Sequence, residues 1–432
     1  MPRRTSVCIV GCGPAGAVLG YLLARAGVDV VVLEKHADFL RDFRGDTVHP
    51  STLEILDQLG LAERFLELPH SRVPGVVFEL PGQRMLEFSF KRLRTRFPYI
   101  AFVPQWDFLN FLTAEAARYP TFTLEMQADV YDLIVEDSQV RGVRYRDEDG
   151  THGELRASLT VGADGRTSVT RGAAGLPLVE SSPPMDVLWF RLSRRSEEPE
   201  GLDLKLMPGR FALAINRGGY WQVAWVILKG EFDHVQADGL EPFRGAVASA
   251  LPQLADRVGE LRDWEQIKLL TVRADRLARW YRPGYLGIGD AAHAMSPIGG
   301  VGINVAIQDA VEAANVLWRP LREGRLGVRD LKRVQVRREL SVVLIQALQA
   351  TLQNRVVMRT MRGNAAALPR LLPTILRTPV LRDLPSRLIA FGLLRPHVRS
   401  PELAPVGTRV YTPGVPHPSV SQARRRSPNN TA

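Results

Sequence analysis

The chain has 432 residues, of which 45% are hydrophobic, 24% charged and 7% aromatic. That composition excludes disordered and fibrous classes, and the length predicts two or three domains. The net charge of +10 lies toward the C-terminus, where residues 355–399 carry nine arginines against Asp383 and residues 400–432 carry four against Glu402.

The body before residue 355 is therefore near neutral. Two cysteines, Cys8 and Cys12, exclude a disulfide framework or a cysteine metal site and predict a reducing cytoplasm. The N-terminal apolar run is too short and too glycine-interrupted for a signal peptide. Residues 342–352 are broken by Gln346 and Gln349 and fall short of the roughly 20 apolar residues of a membrane span.

In chain order, residues 5–11, 13–27 and 28–34 read as strand, helix and strand, a βαβ unit. Residues 50–68, behind a threonine cap, and 102–118, behind a proline, carry helical periodicity. Between them residues 75–90 alternate as a hairpin turning at Pro81 to Gln83. Residues 121–161 form short strands with turns near Asp137 and at Asp149-Gly150. Residues 185–270 form a separate sheet with a helix near 242–260 and a last strand near 266–273. A strand at Tyr285 then leads into a long helix, 302–322. Residues 331–357 are helical, prolines break the chain from 369 to 396, and the sequence beyond Thr412 reads as disordered. There is no internal repeat.

Gly11-Cys12-Gly13-Pro14-Ala15-Gly16 lies directly between the first strand and helix, and Glu34 ends the next strand. Gly11 permits the turn, Gly13 lets backbone approach a pyrophosphate, Gly16 lets helix and strand pack, and the helix start offers free N–H groups to the anion. Glu34 is placed to accept from a ribose hydroxyl. The motif predicts a dinucleotide site and does not separate FAD from NAD.

Two further segments make that separation: residues 162–168, GADGRTS, and residues 287–293, GIGDAAH, followed by Pro297, Gly299, Gly300, Gly302 and Asn304. With them the chain resembles the class A flavoprotein monooxygenases, the p-hydroxybenzoate hydroxylase family, over residues 7 to about 320. The resemblance implies an α/β fold. A discontinuous Rossmann-like, glutathione reductase-type FAD domain would comprise residues 1–74, 98–180 and 271–345. An inserted β-sheet substrate domain would comprise 75–97 and 181–270, with a helical basic region at 346–412 and a disordered tail at 413–432.

The cofactor-binding residues implied are Gly11, Gly13, Pro14, Ala15, Gly16, Glu34, Lys35, Arg44, Gln105, Val130, Asp164, Gly289, Asp290, Pro297, Gly300, Gly302, Ile303 and Asn304. Asp290 would accept from the ribityl hydroxyls; the lesser alternative is a cap for the helix from Ala291 onward. Arg44 would border the flavin, Gln105 would reach the ribityl or phosphate region, and Val130 would touch adenine through its backbone. The Pro297 to Gly302 turn would place a positive helix end beside the isoalloxazine. No acid or base stands out as catalytic; Arg44 and Pro297 are the flavin-proximal candidates, and no metal is implied. His49 and His293 read as structural residues or as supports for the site residues, rather than as proton donors.

The family reaction has NADH or NADPH reduce FAD, and O2 then form a flavin C4a-hydroperoxide that hydroxylates an activated aromatic in a dry site. Candidate lining residues of the second domain are Trp189, Arg191, Phe211, Tyr220, Trp221, Gln222 and Trp225, with a hydrophobic or polyketide-like aromatic as the expected substrate. A flavin-dependent halogenase is an alternative, but the Trp221 to Trp225 spacing differs from that class. Quinone or prenyl-lipid oxidation, with the basic tail on an anionic membrane, is another. A non-enzymatic flavin sensor is the third. Nothing supports nucleic-acid binding.

Overall fold

A computed structural model describes residues 3–40, 47–78, 86–181, 183–198, 201–363 and 383–403. Arg44, the Pro81 to Gln83 turn and the tail beyond residue 403 lie outside the described residues.

Arg3–Val10 becomes steadily buried toward its C-terminal end, and Val30–Leu33 is buried throughout. Such β-branched runs suit a parallel sheet covered on both faces. The sheet runs 281–282, 285–287, 152–162, 3–10, 30–33, 122–125 in spatial order, with the antiparallel strands 129–136 and 139–146 attached to 152–162. The four neighbouring pairs from 285–287 through to 122–125 are parallel. Asp137 and Ser138, both at positive φ, make the tight turn between the two attached strands. The helices Pro14–Arg25 and Gly302–Arg322 cover one face of this sheet and pack on each other.

The second sheet is antiparallel, in the order 202–207, 210–216, 220–228, 185–193, 268–270. The predicted hairpin forms from Gly75–Phe78 and Leu86–Ser89 and lies against the Leu202–Met207 strand.

Local breaks differ from the expected ones for identifiable reasons. The 50–68 helix divides into Pro50–Gln58 and Ala62–Phe65 because Gly60 sits at φ 69. Its N-cap is His49 followed by proline, and no threonine caps it. The 242–260 helix is α-helical only over Leu240–Ala250, and beyond Pro252 it tightens to 3-10 turns. The expected 345/346 boundary falls inside the continuous helix Val328–Leu352, which packs on Gly302–Arg322.

The basic C-terminal region is also not merely peripheral. Leu384–Phe391 is helical, and the chain after it crosses the first domain. Arg338 donates to the Leu394 carbonyl (3.2 Å), Asn315 to that of His397 (2.8 Å) and Arg25 to that of Ser400 (3.0 Å).

Candidate active site

Gly11 has φ +93, and a Cβ there would lie 2.6 Å from the carbonyl oxygen of Ala163. The glycine turn is thus pressed against the turn that carries Asp164. At Gly16 a Cβ would lie 2.0 Å from the Gly11 carbonyl oxygen, whereas at Gly13 it would meet nothing within 4 Å. Gly13 therefore faces open space at the start of a helix whose first residue is Pro14 and whose cap offers no side chain. The first-turn N–H groups remain available to an anion.

Glu34 is buried, and its carboxylate binds the turn itself. It accepts from the Cys12 N–H (2.9 Å) and from His36 through its N–H (3.2 Å) and Nδ1 (2.6 Å). The Glu34 and His36 carbonyls accept from the N–H groups of Ala128 and Gln127, which brings the start of the Val130 strand beside this corner. Lys35 projects into solvent there. Burial, and secondarily Glu34, holds the Cys12 thiol well above the usual thiol range, so it stays protonated.

Asp164 turns inward. It accepts from Ser168 Oγ (2.6 Å), Thr170 Oγ1 (2.9 Å) and the Thr170 N–H (3.0 Å), so it shapes its own loop. Arg166 is the residue of this loop that reaches out, its Nε 3.1 Å from Asp290 Oδ2, with both side chains about 30% exposed. Asp290 lies inside the short turn Gly289–Ala291, capped by Ile288 without a side-chain bond; it is not an N-cap. Gly289 packs against Ala15, its virtual Cβ 3.1 Å away, and so all three motifs converge on one corner.

Behind that corner the Gly289 N–H donates to Asp309 (3.1 Å), which also binds His293 Nε2 (2.5 Å) and Arg338 Nε (2.8 Å). All three side chains are essentially inaccessible. His293 is structural, as expected; Asp309 and Arg338 had no local sequence signal.

Pro297 opens a short turn, Ile298–Gly300, with Gly299 and Gly300 at positive φ, and the helix starts at Gly302. The Gly300 carbonyl accepts from Thr47 Oγ1 (2.8 Å). Asn304 is buried: its Oδ1 accepts from the His49 N–H and Thr52 Oγ1, and its Nδ2 donates to the Thr47 carbonyl. It positions this loop. Gln349, which by sequence only interrupts an apolar stretch, donates to the carbonyls of Ser296 (2.9 Å) and Ile298 (2.8 Å). Gly302 is under no steric demand, with Met295 Cβ at an ordinary 3.7 Å from its virtual Cβ. Ile303 packs on the core, and Gln105 begins the helix Gln105–Ala116.

His49 is fully buried, and its Nδ1 donates to the Ile389 carbonyl (2.7 Å). Burial lowers its pKa to about 4, against the smaller upward pull of the Ile389 and Gly300 carbonyls. A depressed histidine pKa means that stability is full above about pH 6.5 and is lost as the pH falls toward 4, in total about 3 kcal/mol. Urea unfolding across that range should show this slope in the native chain and a flatter one in His49→Asn; equal slopes would refute the assignment.

The second sheet has two apolar faces. Trp221 and Trp225 lie on the back with Phe190, packed against Phe243 and Leu254, which removes them from the lining. Trp189, Phe211 and Leu213 lie on the front in one cluster with Ile298 of the Pro297 loop. Gln222 shares this front face by alternation and is buried, with Oε1 accepting from Arg217 Nε (2.8 Å); the Arg217 guanidinium stacks over Phe102 at 5.2 Å. Arg191 stacks on Tyr220 at 4.9 Å, with Arg191 exposed at the sheet end.

The open glycine turn, the uncapped helix start and the carboxylate of Asp290 fit a flavin dinucleotide. Residues 4–333 match a protein-family model described as FAD binding domain. The chain is 33% identical over 401 residues to a 6-methylpretetramide 4-monooxygenase of Streptomyces rimosus, covering 92% of this chain and 94% of that protein. It is 30% identical over 331 residues to a 12-dehydrotetracycline 5-monooxygenase/anhydrotetracycline 6-monooxygenase of Streptomyces rimosus subsp. rimosus, covering 73% of this chain and 62% of that one. The solved structure of p-nitrophenol 4-monooxygenase from Pseudomonas putida superposes with a TM-score of 0.73 at 20% identity, covering 90% and 98% of the two chains.

Proposed function

The chain belongs to the FAD-binding-domain family of aromatic-compound monooxygenases, and on that premise we propose that its substrate is a fused-ring phenol held on the front face of the second sheet. The observation that carries this reading is the single apolar cluster joining Trp189, Phe211 and Leu213 to Ile298 of the Pro297 loop. The relatives named for 6-methylpretetramide and for anhydrotetracycline support a polycyclic substrate over a single small ring.

In this reading the turn Gly11 to Gly16, with Pro14 and Ala15 opening the helix, holds the diphosphate. Glu34, Lys35 and Val130 border the adenosine, and Gln105 and Asp290 take the ribityl chain. Arg44, Pro297 and Gly300 border the ring system. Bound FAD supplies the redox chemistry: two electrons from NADH or NADPH, one atom of O2 to the aromatic carbon and the other to water. The chain's own residues orient the substrate and keep the site dry. The Gln222–Arg217 pair offers a polar anchor for a phenolic or enolic oxygen at the edge of the apolar face.

Stopped-flow reduction by NADPH and NADH, with and without a panel of fused-ring phenols, tests the reading. Faster flavin reduction and ring hydroxylation with one such phenol are expected. Gln222→Leu should keep its FAD yet raise KM roughly tenfold, the cost of a lost buried hydrogen bond. FAD-bound protein that oxidises no NAD(P)H with any aromatic would leave the sensor reading standing.

Among the described residues no helix is long and apolar enough to cross a membrane. The excess of arginine after residue 354 supports peripheral contact with an anionic membrane.

A further inference from the structure

The helix Val328–Leu352 continues through the turn Gln353–Val357 into Met358–Met361, and one side of it faces outward. On that side Val336, Leu340, Leu344 and Leu348 are 62, 56, 41 and 41% exposed. Their four-residue spacing stacks them along about 18 Å of one flank. A row of that kind, left open among the described residues, marks an interaction surface.

Charge selects the partner. Arg329, Lys332 and Arg333 are exposed before the row, and Arg355 and Arg359 after it. The helix has two acids, and both are engaged: Asp330 accepts from the Gly327 N–H and Glu339 from Gln335. Beside its first turns, Arg319, Arg325, Arg333, Arg337 and Arg399 line a cleft. A second copy of the chain is a poor fit. A two-fold pairing centred on residue 342 would set Arg329 against Arg355 of the other copy, and a parallel pairing would stack like on like. An apolar row bracketed by cations instead fits an anionic lipid surface, with leucines in the acyl boundary and arginines among the headgroups.

We propose that this face of the Val328–Met361 helix, between Arg329 and Arg359, docks the enzyme on anionic bilayers. The inference rests on the peripheral-contact reading given above and moves that contact from the tail to a folded helix. The far end of the same helix reaches the substrate sheet: Val357 and Met361 pack on its front face, and the Thr360 carbonyl accepts from the Gly209 N–H (2.7 Å). Docking would therefore bring that sheet close to the bilayer.

Co-sedimentation of the full-length, FAD-loaded protein with phosphatidylglycerol/phosphatidylcholine vesicles tests the proposal against pure phosphatidylcholine. Binding to the anionic vesicles that weakens with salt is expected. Leu340→Glu/Leu344→Glu should weaken it roughly tenfold or more while FAD content stays unchanged, and Arg329→Gln/Lys332→Gln/Arg333→Gln should remove the preference for phosphatidylglycerol. Loss of binding only when Arg409, Arg424, Arg425 and Arg426 are replaced by serine would overturn the helix surface and keep the peripheral contact. No binding by the native protein would overturn both. A lipid-free dimer by light scattering that Leu340→Glu/Leu344→Glu dissociates would overturn the choice of partner.

Discussion

Asp309→Asn should destabilise the folded protein by about 3–5 kcal/mol at neutral pH, because it leaves the buried Arg338 guanidinium without its counter-charge. The Asp309 carboxylate is the shared acceptor of the Gly289 N–H, His293 and Arg338, and Arg338 is 1% exposed. Asparagine keeps the volume and one oxygen but removes the charge, so the guanidinium of Arg338 stays buried and unneutralised. Burial by itself would raise the Asp309 pKa; the opposing pull of His293 and then Arg338 prevails and holds it below the usual carboxylate range. A depressed carboxylate pKa contributes stability that is present above about pH 4 and lost as pH falls through the folded value. Urea unfolding at pH 7 and under acid should therefore show a large gap between native and variant that closes at low pH. A gap below about 1 kcal/mol at pH 7 would show that the triad is not a stabilising centre. The variant should also lose flavin, because Asp309 anchors the turn that presents Asp290.

Gly11→Ala should weaken FAD binding on the order of 100-fold, from about 3 kcal/mol of combined strain and displacement. The added methyl forces an L residue to φ +93 and places a carbon 2.6 Å from the Ala163 carbonyl and 2.9 Å from Asp164 Cα, both backbone atoms. The Asp164 turn must then move away from the glycine turn. Gly13→Ala separates ligand from fold, since its Cβ meets nothing within 4 Å. The melting temperature of the FAD-free protein should stay unchanged while FAD affinity falls, measured by quenching of flavin fluorescence. Full affinity in Gly13→Ala would mean that the diphosphate does not approach this turn.

The cofactor class could be read from sequence because its signals are local. A glycine needed for a turn or a close approach, followed at short range by an acid on the next strand, is a backbone requirement contained within one βαβ unit. The later Asp164 and Asp290 turns added the FAD-specific order, and the structure brings all three to one corner. Roles within that corner were less legible. Asp164 faces its own loop and Asn304 holds the Thr47 to Thr52 segment, since a motif records a position and not the direction of a side chain.

Sequence by itself thus determined the βαβ core, the alternating second sheet, the three turns and the dinucleotide chemistry, because each follows from spacing along a short stretch of chain. Only the tertiary structure decided which sheet face meets the Pro297 loop, placing Trp189 there and Trp221 behind, because alternation distinguishes two faces without saying what covers each. It also decided the polar scaffold: His49 meets Ile389 across 340 residues and Gln349 meets Ser296 across 53. Such bonds carry no local pattern, since a buried amide or imidazole is chosen by whichever carbonyl the fold delivers to it.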